Sequence, residues 1–229
     1  MSKASFDVLV PGSSLAFNGG FFGISAIVMV EAGGKRALFD VGHGVTRRML
    51  LEALKARDLA PRDIDMLIFS HGHFDHVLNL DLFPDAPILM GRDERDYLDA
   101  IFETDTVTPR YLAALLSQRD VSTVDGEAEI MPGVTLFPTP GHSPGHVSLE
   151  LDTADGPAIL AADALKTARE ATTGTPDLEF DPQKRGAASI REVLRRGRTI
   201  VPGHFPTLHR QEDGHLWWDE IQEMPLLIR

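Results

Sequence analysis

Short apolar runs punctuated by glycine and proline occupy the start of the chain. The runs Phe6 to Val10, Ile24 to Val30 and Arg36 to Phe39 predict β-strands. Gly33-Gly34 lies between the last two runs, and a glycine pair between apolar segments is typical of a β-hairpin. The beginning of the chain is therefore expected to be rich in strands.

The hydrophobic pattern changes to helix spacing from Thr46 to Arg57, where a proline soon stops it. Asp65 to Ser70 then has the apolar character of a buried strand, and Ile88 to Met90 predicts another. From Arg92 to Arg119 the pattern is helical, with an interruption near Thr108-Pro109. An apolar stripe in this segment indicates core or lid packing, and it consists of Tyr111, Leu112, Leu115 and Leu116.

Strand-like runs return after Val121, separated by Pro-Gly and Asp-Gly turns. They are Ile130, Val134 to Phe137, Val147 to Leu151 and Ala158 to Ala161. A last helix, Asp181 to Arg196, leads to the strand Thr199 to Val201. Neither a repeat nor an interdomain linker is evident, so the pattern predicts one domain, 1–229, of the α/β class with two strand-rich halves layered with helices.

Composition narrows the classes of function. With 43% hydrophobic residues among 229, the chain can bury a substantial core. A net charge of -12 disfavours binding to nucleic acid or to an anionic membrane. One basic cluster fits the C-terminal end of a helix, and it consists of Arg191, Arg195, Arg196 and Arg198. We find no secretory leader and no membrane-spanning run, so we expect a cytoplasmic protein.

The absence of cysteine leaves nitrogen and oxygen as the only strong metal ligands. Three of the nine histidines lie close together, at His71, His73 and His76, with Asp75 among them. Residues two apart in an extended segment face the same way, so His71 and His73 can point at one ion. Asp75 and His76 can reach a second point nearby, and the cluster therefore predicts a metal-binding loop.

A site for two ions needs ligands from elsewhere in the chain. His142 follows the predicted strand Val134 to Phe137, Asp163 closes the apolar run ending at Ala162, and His204 follows Ile200-Val201-Pro202-Gly203. A single strand-end histidine or aspartate is usually a cap or turn residue. The dense cluster at His71 to His76 makes metal ligation the favoured interpretation for all three.

These residues resemble the HxHxDH pattern, followed by a distant His, Asp and His, of the metallo-β-lactamase-fold hydrolases. The matching positions, in order, are His71, His73, Asp75, His76, His142, Asp163 and His204. The resemblance implies a four-layer αβ/βα sandwich of two mixed β-sheets flanked by helices, with the site along one edge. It also implies that His71, His73 and His142 hold one metal, that Asp75, His76 and His204 hold the other, and that Asp163 bridges them.

Among these hydrolases the chain is most similar to the N-acyl homoserine lactone lactonases, in length and in the spacing from Asp163 to Phe180-Asp181-Pro182. It departs from them where they usually carry a tyrosine that contacts the substrate carbonyl, because Lys166 stands there. An ammonium can polarise a carbonyl or pair with an anionic substrate, and a solvated lysine is the alternative. Glyoxalase II shares the seven ligands, but His215 to Arg229 shows no strong sign of its glutathione-binding helical tail.

The expected activity is hydrolysis of a lactone or other ester-type bond by a metal-bridging hydroxide, with Asp75 as proton shuttle and Lys166 at the substrate. Two divalent ions are the expected cofactors, with zinc favoured over iron, manganese or cobalt. A glyoxalase II-like thioesterase, a di-iron oxidoreductase and a metal-binding protein of the same fold are the competing interpretations. The expected partner is a small-molecule substrate, without nucleic acid or membrane, and a homodimer is one option for the oligomeric state.

Three further features have two interpretations each. His146 and Asp40 either orient the ligands by hydrogen bonds or fill ordinary turn roles. The segment Phe17 to Phe22 combines glycines with aromatic residues. It fits either a mobile loop over an apolar substrate group or simple core packing.

Overall fold

The computed structural model describes residues 3–221 and 223–224. Its helices are α1 (Arg47–Lys55), α2 (Phe74–Val77), α3 (Arg92–Tyr97), α4 (Leu112–Leu116), α5 (Ala168–Thr173) and α6 (Gly186–Arg196). The strands of the first half are β1 (Ser5–Val10), β2 (Ala16–Phe17), β3 (Gly20–Phe21), β4 (Ile27–Ala32), β5 (Lys35–Phe39), β6 (Met66–Phe69), β7 (Ile88–Gly91) and β8 (Val121–Val124). Those of the second half are β9 (Ala128–Met131), β10 (Val134–Pro138), β11 (Val147–Thr153), β12 (Gly156–Ala162), β13 (Thr199–Pro202), β14 (Leu208–Arg210) and β15 (Leu216–Trp218).

Two mixed sheets form the centre of the fold. The first has the order β1-β4-β5-β6-β7-β8, and the second has the order β15-β14-β13-β12-β11-β10-β9. From β5 to β8 the first sheet is parallel, whereas β1, β4 and β5 are antiparallel. In the second sheet β12 and β13 are parallel, and its other neighbouring strands are antiparallel. The two expected mixed sheets are confirmed.

Three apolar clusters show how the layers pack. Ile68 of β6 and Leu149 of β11 belong to the cluster between the two sheets. On the opposite face of the first sheet, Leu67 packs in a cluster with Leu50 of α1. A third cluster joins the outer face of the second sheet to Ile190 of α6. Because adjacent strand residues face opposite sides, each sheet buries both faces, and the helix–sheet–sheet–helix sandwich is confirmed.

The helical segment expected from Arg92 to Arg119 is two short helices, α3 and α4, with turns between them. The carboxylate of Asp105 accepts the backbone N–H groups of Val107 and Thr108 at 3.0 and 2.9 Å. A side chain that satisfies these donors competes with helix formation. The expected interruption near Thr108-Pro109 is therefore correct in kind but longer than predicted.

The helix expected to begin at Asp181 begins later, at Gly186. The Asp181 carboxylate accepts the N–H groups of Gln183 and Arg185, which closes a turn ahead of the helix. The sequence pattern does not predict α5, β14 or β15. Strand β15 lies in the segment His215 to Arg229, of which residues 222 and 225–229 lie outside the described residues.

The longest helix of the described residues, α6, has 11 residues. Within that part of the chain, none of the helices has the length and apolar character that crossing a bilayer requires.

Candidate metal centre

The predicted ligands follow strands of both sheets and meet at one edge of the sandwich. His71 and His73 lie just after β6, and Asp75 and His76 lie on α2. From the second sheet, His142 follows β10, Asp163 follows β12 and His204 follows β13. The structure brings all seven side chains together, and six of them are buried, with His204 partly exposed.

Ligand atoms in this cluster form three overlapping groups whose members lie within 4.8 Å of one another. These groups are His71, His73 and His142; His71, His76 and Asp163; and Asp75, His76 and His204. The first and third groups coincide with the two ligand sets implied by the family resemblance. The geometry can therefore accommodate two ions in the expected arrangement.

Asp163 lies between the two sets. Its Oδ2 atom is 3.0 Å from Nε2 of His142, whereas its Oδ1 atom is 3.4 Å from Nε2 of His76 and 3.3 Å from Nε2 of His204. Nδ1 of His73 also approaches Nε2 of His142, at 2.8 Å. Such close approach of ligand atoms is the arrangement expected around a cation.

Several atoms that face this cluster have no hydrogen-bond partner among the described residues. They are Nε2 of His71, Nε2 of His76 and Oδ1 of Asp163, and all three are buried. Buried polar atoms in proteins nearly always have a partner, so an unpartnered group of nitrogen and oxygen atoms calls for an explanation. A divalent cation at this place would satisfy them.

The outer ring nitrogens of four histidines are held by hydrogen bonds, which leaves the inner nitrogens directed at the cluster and able to bind a cation. Nδ1 of His76 donates to Asp40, at 2.7 Å, and Nδ1 of His71 contacts the Ser70 hydroxyl, at 2.9 Å. That hydroxyl donates to the same Asp40 carboxylate, so His71 is the donor to Ser70. Nδ1 of His142 and Nδ1 of His204 contact backbone carbonyls at 3.1 Å. Such outer contacts set the tautomer and the ring orientation of a ligating histidine.

His73 is arranged differently, since its Nδ1 atom is the one that faces the cluster. Its Nε2 atom lies 3.7 Å from Oδ2 of Asp105, which is beyond hydrogen-bond distance, and this buried carboxylate accepts hydrogen bonds from Tyr97 and Thr108. Asp105 is not among the residues predicted from the sequence, because the local pattern around it signals only a turn.

The hydrogen bonds of Asp40 and His146 favour the orienting role over an ordinary turn role. Asp40 holds His76 and Ser70 from a buried position with a positive φ of 59°. His146 accepts the backbone N–H of Asp163 at Nε2, at 3.2 Å, and its Nδ1 therefore donates to Thr139. His146 is thus a support for Asp163 and not a member of the ligand groups.

Two of the candidate ligands, His71 and Asp163, are in the protonation state that binds a cation. Burial lowers the pKa of His71 well below its usual value, and the nearby rings of His76 and His73 lower it further, so this imidazole is neutral at physiological pH. Burial alone would raise the pKa of Asp163, but the adjacent rings of His204 and His76 hold it well below its usual range. Neutral imidazole and ionised carboxylate are the forms that bind metals.

A cavity of about 280 Å³ opens beside the cluster. Its wall includes the candidate ligands Asp75 and Asp163, together with Lys166 and the apolar residues Phe21 and Leu178. Drug-sized ligands occupy cavities of this order, lined by apolar residues with a few polar groups. The cavity is therefore the place where a small molecule would meet the cluster.

Lys166 is only 9% exposed, so the alternative of a solvated lysine is wrong. Its ammonium forms an ion pair with Asp177, a contact that the sequence pattern does not predict. Burial lowers the pKa of Lys166, but Asp163 and Asp177 outweigh that effect and leave it raised, so the side chain is charged. Glu170 accepts the backbone N–H groups of both Lys166 and Asp177, at 2.5 and 2.9 Å, and so fixes the pair in the cavity wall.

The aromatic segment forms the hairpin β2–β3 at the cavity. Phe17 is 58% exposed and Phe21 is 51% exposed, so simple core packing is wrong for these two residues, although Phe22 does pack against the core. Phe21 lines the cavity and lies against Phe74 of α2, with the ring centroids 5.8 Å apart. Phe17 instead contacts Phe22.

Comparison with known proteins agrees with the family resemblance of the seven candidate ligands. Residues 20–204 match the family model of the metallo-beta-lactamase superfamily. The chain is 31% identical to an N-acyl homoserine lactonase of Bacillus thuringiensis over 156 residues, which are 66% of this chain and 60% of that protein. It is 28% identical to metallo-beta-lactamase domain-containing protein 1 of Xenopus laevis over 225 residues, which are 96% of this chain and 88% of that protein.

A solved structure of an N-acyl homoserine lactone hydrolase, with the product N-hexanoyl-L-homoserine bound at its catalytic metal center, has the same fold. The TM-score is 0.66 at 23% sequence identity, over 85% of this chain and 88% of that one. The match to the Bacillus lactonase covers less than two thirds of that enzyme's length, at 60%.

Proposed function

We propose that this chain, which belongs to the metallo-beta-lactamase superfamily, is a dinuclear metal-dependent hydrolase of lactones and related esters. The position of Asp163 is the observation that carries this proposal. One of its carboxylate oxygens faces His142, and the other faces His76 and His204. A carboxylate with ligand groups on both sides is suited to bridging two cations.

Zinc is the cofactor that we propose, because all candidate ligands are imidazoles and carboxylates. Iron, manganese and cobalt accept the same donors and are the alternatives. Two such ions, when bound, would make a water molecule acidic enough to attack as hydroxide and would polarise the substrate carbonyl.

Asp75 is the residue that we assign to proton transfer. Its Oδ2 atom lies 3.4 Å from Nε2 of His204, and the side chain lines the cavity. From this position it can accept a proton from the attacking water and pass it to the leaving oxygen as the ester bond breaks.

Lys166 is the residue that we assign to the substrate. Its charged ammonium lies in the cavity wall beside Asp163, where it can donate to a carbonyl oxygen or pair with an anionic group. Phe21 and Leu178 give the same cavity apolar surface, which supports an ester with an apolar chain. The substrate that fits both features is a small acylated lactone, as in the lactonase relatives. Cytoplasmic localisation and a single domain over 1–229 stay predictions.

The proposal is tested by assaying zinc-loaded protein against an acyl homoserine lactone, a simple δ-lactone, an aryl ester, S-lactoylglutathione and a phosphotriester. Metal content is measured on the same sample. We expect the fastest turnover for a lactone, with about two ions per chain. The matched control is Asp163→Asn, which keeps the shape of the side chain but removes one bridging oxygen.

Two outcomes would contradict the proposal. Fastest turnover of S-lactoylglutathione would assign the chain to the thioesterases. A complete lack of turnover by protein that holds two ions would exclude hydrolysis of these substrates and favour a redox or metal-binding role.

A further inference from the structure

Two loops from different sheets supply the histidines of the first ligand group. His71 and His73 lie in the loop after β6 of the first sheet, and His142 lies in the loop after β10 of the second. Strands that carry these loops share no ladder, since β6 pairs with β5 and β7 while β10 pairs with β9 and β11. Some other contact must therefore set the distance between the loops.

One buried carboxylate, that of Glu94 in α3, joins the two loops. Its side chain has 0% exposure. Oε1 accepts the backbone N–H of Gly72 at 2.8 Å, and Oε2 accepts the hydroxyl of Ser143 at 2.5 Å and the backbone N–H of Gly145 at 3.1 Å. Gly72 lies between His71 and His73, and Ser143 follows His142 directly.

Both loops also lie very close to α3 and to Leu98, the residue that follows it. A Cβ atom at Gly145 would lie 1.9 Å from the backbone nitrogen of Glu94, and one at Gly72 would lie 2.5 Å from Cδ2 of Leu98. At Gly145 only glycine fits, because the atom it would meet belongs to the backbone, whereas the end of the Leu98 side chain could shift away from Gly72. The contact of Glu94 with the loops is thus part of a closely packed, buried junction and not a chance surface pairing.

We propose that Glu94 is a positioning residue, which sets the separation of His142 from His71 and His73 and so selectively tunes the affinity of that ligand group for its ion. The inference rests on the proposed metal centre and is independent of the substrate. None of the hydrogen bonds of Glu94 reaches Asp75, His76 or His204 among the described residues. The second ligand group should therefore be nearly insensitive to Glu94.

The experiment measures stepwise zinc binding by competition with a chromophoric chelator in the wild type and in Glu94→Gln. Glutamine keeps the shape but replaces one accepting oxygen with a donor, so at least one of the two loops loses its partner. We expect one of the two binding steps to weaken by about 10- to 100-fold, the range typical for lost outer contacts of metal ligands, and the other to change by less than about threefold.

Two further variants assign the affected site. His142→Ala destroys the first ligand group, so adding Glu94→Gln to it should leave binding of the remaining ion unchanged. Asp63→Asn alters another carboxylate that accepts a backbone N–H, that of Ala60 at 2.8 Å, and that has no hydrogen bond to either histidine loop among the described residues. It should not alter either zinc affinity.

Ser143→Ala covers the case in which Glu94→Gln does not fold. It removes one of the three bonds and should weaken the same step to a smaller extent. The inference is wrong if both steps keep wild-type affinity in the folded variant, or if the double variant weakens the remaining site. Wild-type protein that binds no zinc would overturn the metal centre itself, whereas absence of hydrolysis with normal zinc binding would leave the role of Glu94 standing.

Discussion

Oδ2 of Asp40 lies 2.7 Å from Nδ1 of His76, and the same oxygen accepts the hydroxyl of Ser70. Through Ser70 it also controls His71, so one carboxylate fixes two candidate ligands. We expect Asp40→Asn to lower zinc affinity by about 10- to 100-fold, because Oδ1 of Asp40 also accepts the backbone N–H of Ser70 and the NH2 group of asparagine would therefore face a donor in either orientation. Competition titration with a chelator measures the effect.

The matched control for this change is Asp58→Asn. Asp58 also has a positive φ, 57° against 59° for Asp40, but it is exposed and far from the ligands in sequence. Equal zinc affinity in the two variants would contradict the role of Asp40.

Lys166→Met removes the ammonium from the cavity wall while keeping the length of the side chain. We expect kcat/KM to fall by about 100-fold with both ions retained, because a charged donor to the reacting group is lost. Lys184→Met, which removes an exposed lysine, should leave the rate unchanged. Normal turnover in Lys166→Met would show that the ion pair with Asp177 is purely structural.

Phe21→Ala should weaken the binding of esters with long apolar chains. Since Phe21 lines the cavity while remaining half-exposed, the lost contact is worth about 1 kcal/mol, or roughly a fivefold rise in KM. Short-chain substrates should be affected less. Phe17→Ala is the control, because Phe17 is equally exposed but does not line the cavity. Identical effects of the two changes would exclude a specific role for Phe21.

Glu170 predicts a pH dependence of stability. Burial raises its pKa from 4.5 to about 7, so the folded state binds a proton that the unfolded state has released. The resulting stabilisation is complete below pH 4.5 and is lost as the pH rises through about 7, with a total of up to about 3 kcal/mol.

Urea unfolding of metal-free protein between about pH 5 and pH 8 tests this. The difference in unfolding free energy between wild type and Glu170→Gln isolates the contribution of Glu170, and it should shrink as the pH rises. Glu103→Gln, at an exposed glutamate, controls for the loss of one charge. A difference that does not vary with pH would contradict the raised pKa.

The clustering of the seven candidate ligands could be predicted from the sequence because its signals are local. His71 and His73 share a face by their spacing, and His142, Asp163 and His204 each follow a strand with a readable apolar pattern. Helix boundaries were harder to predict from the sequence where an aspartate accepts backbone N–H groups, as Asp105 and Asp181 do. Propensity alone does not reveal which side chain will take those N–H groups.

The supporting residues could not be predicted, because their partners are distant in the chain. Glu94 contacts Gly72 and Ser143 at separations of 22 and 49 residues, and nothing in the local pattern around it differs from a surface helix. The burial of Lys166 has a different cause, because Asp177 and Glu170 are near it in sequence and only the folded chain shows that their side chains turn toward it.

Because the candidate ligands come from both sheets, metal supply would affect the stability of the folded protein in a cell. An ion bound to His71 and His142 would join the two halves of the sandwich, so its binding free energy would be added to the stability of the fold. Free ion at about 1,000 times its dissociation constant would contribute about 4 kcal/mol. Metal scarcity would then reduce the amount of folded protein as well as the proposed activity, and the cellular level of the protein would follow the metal supply.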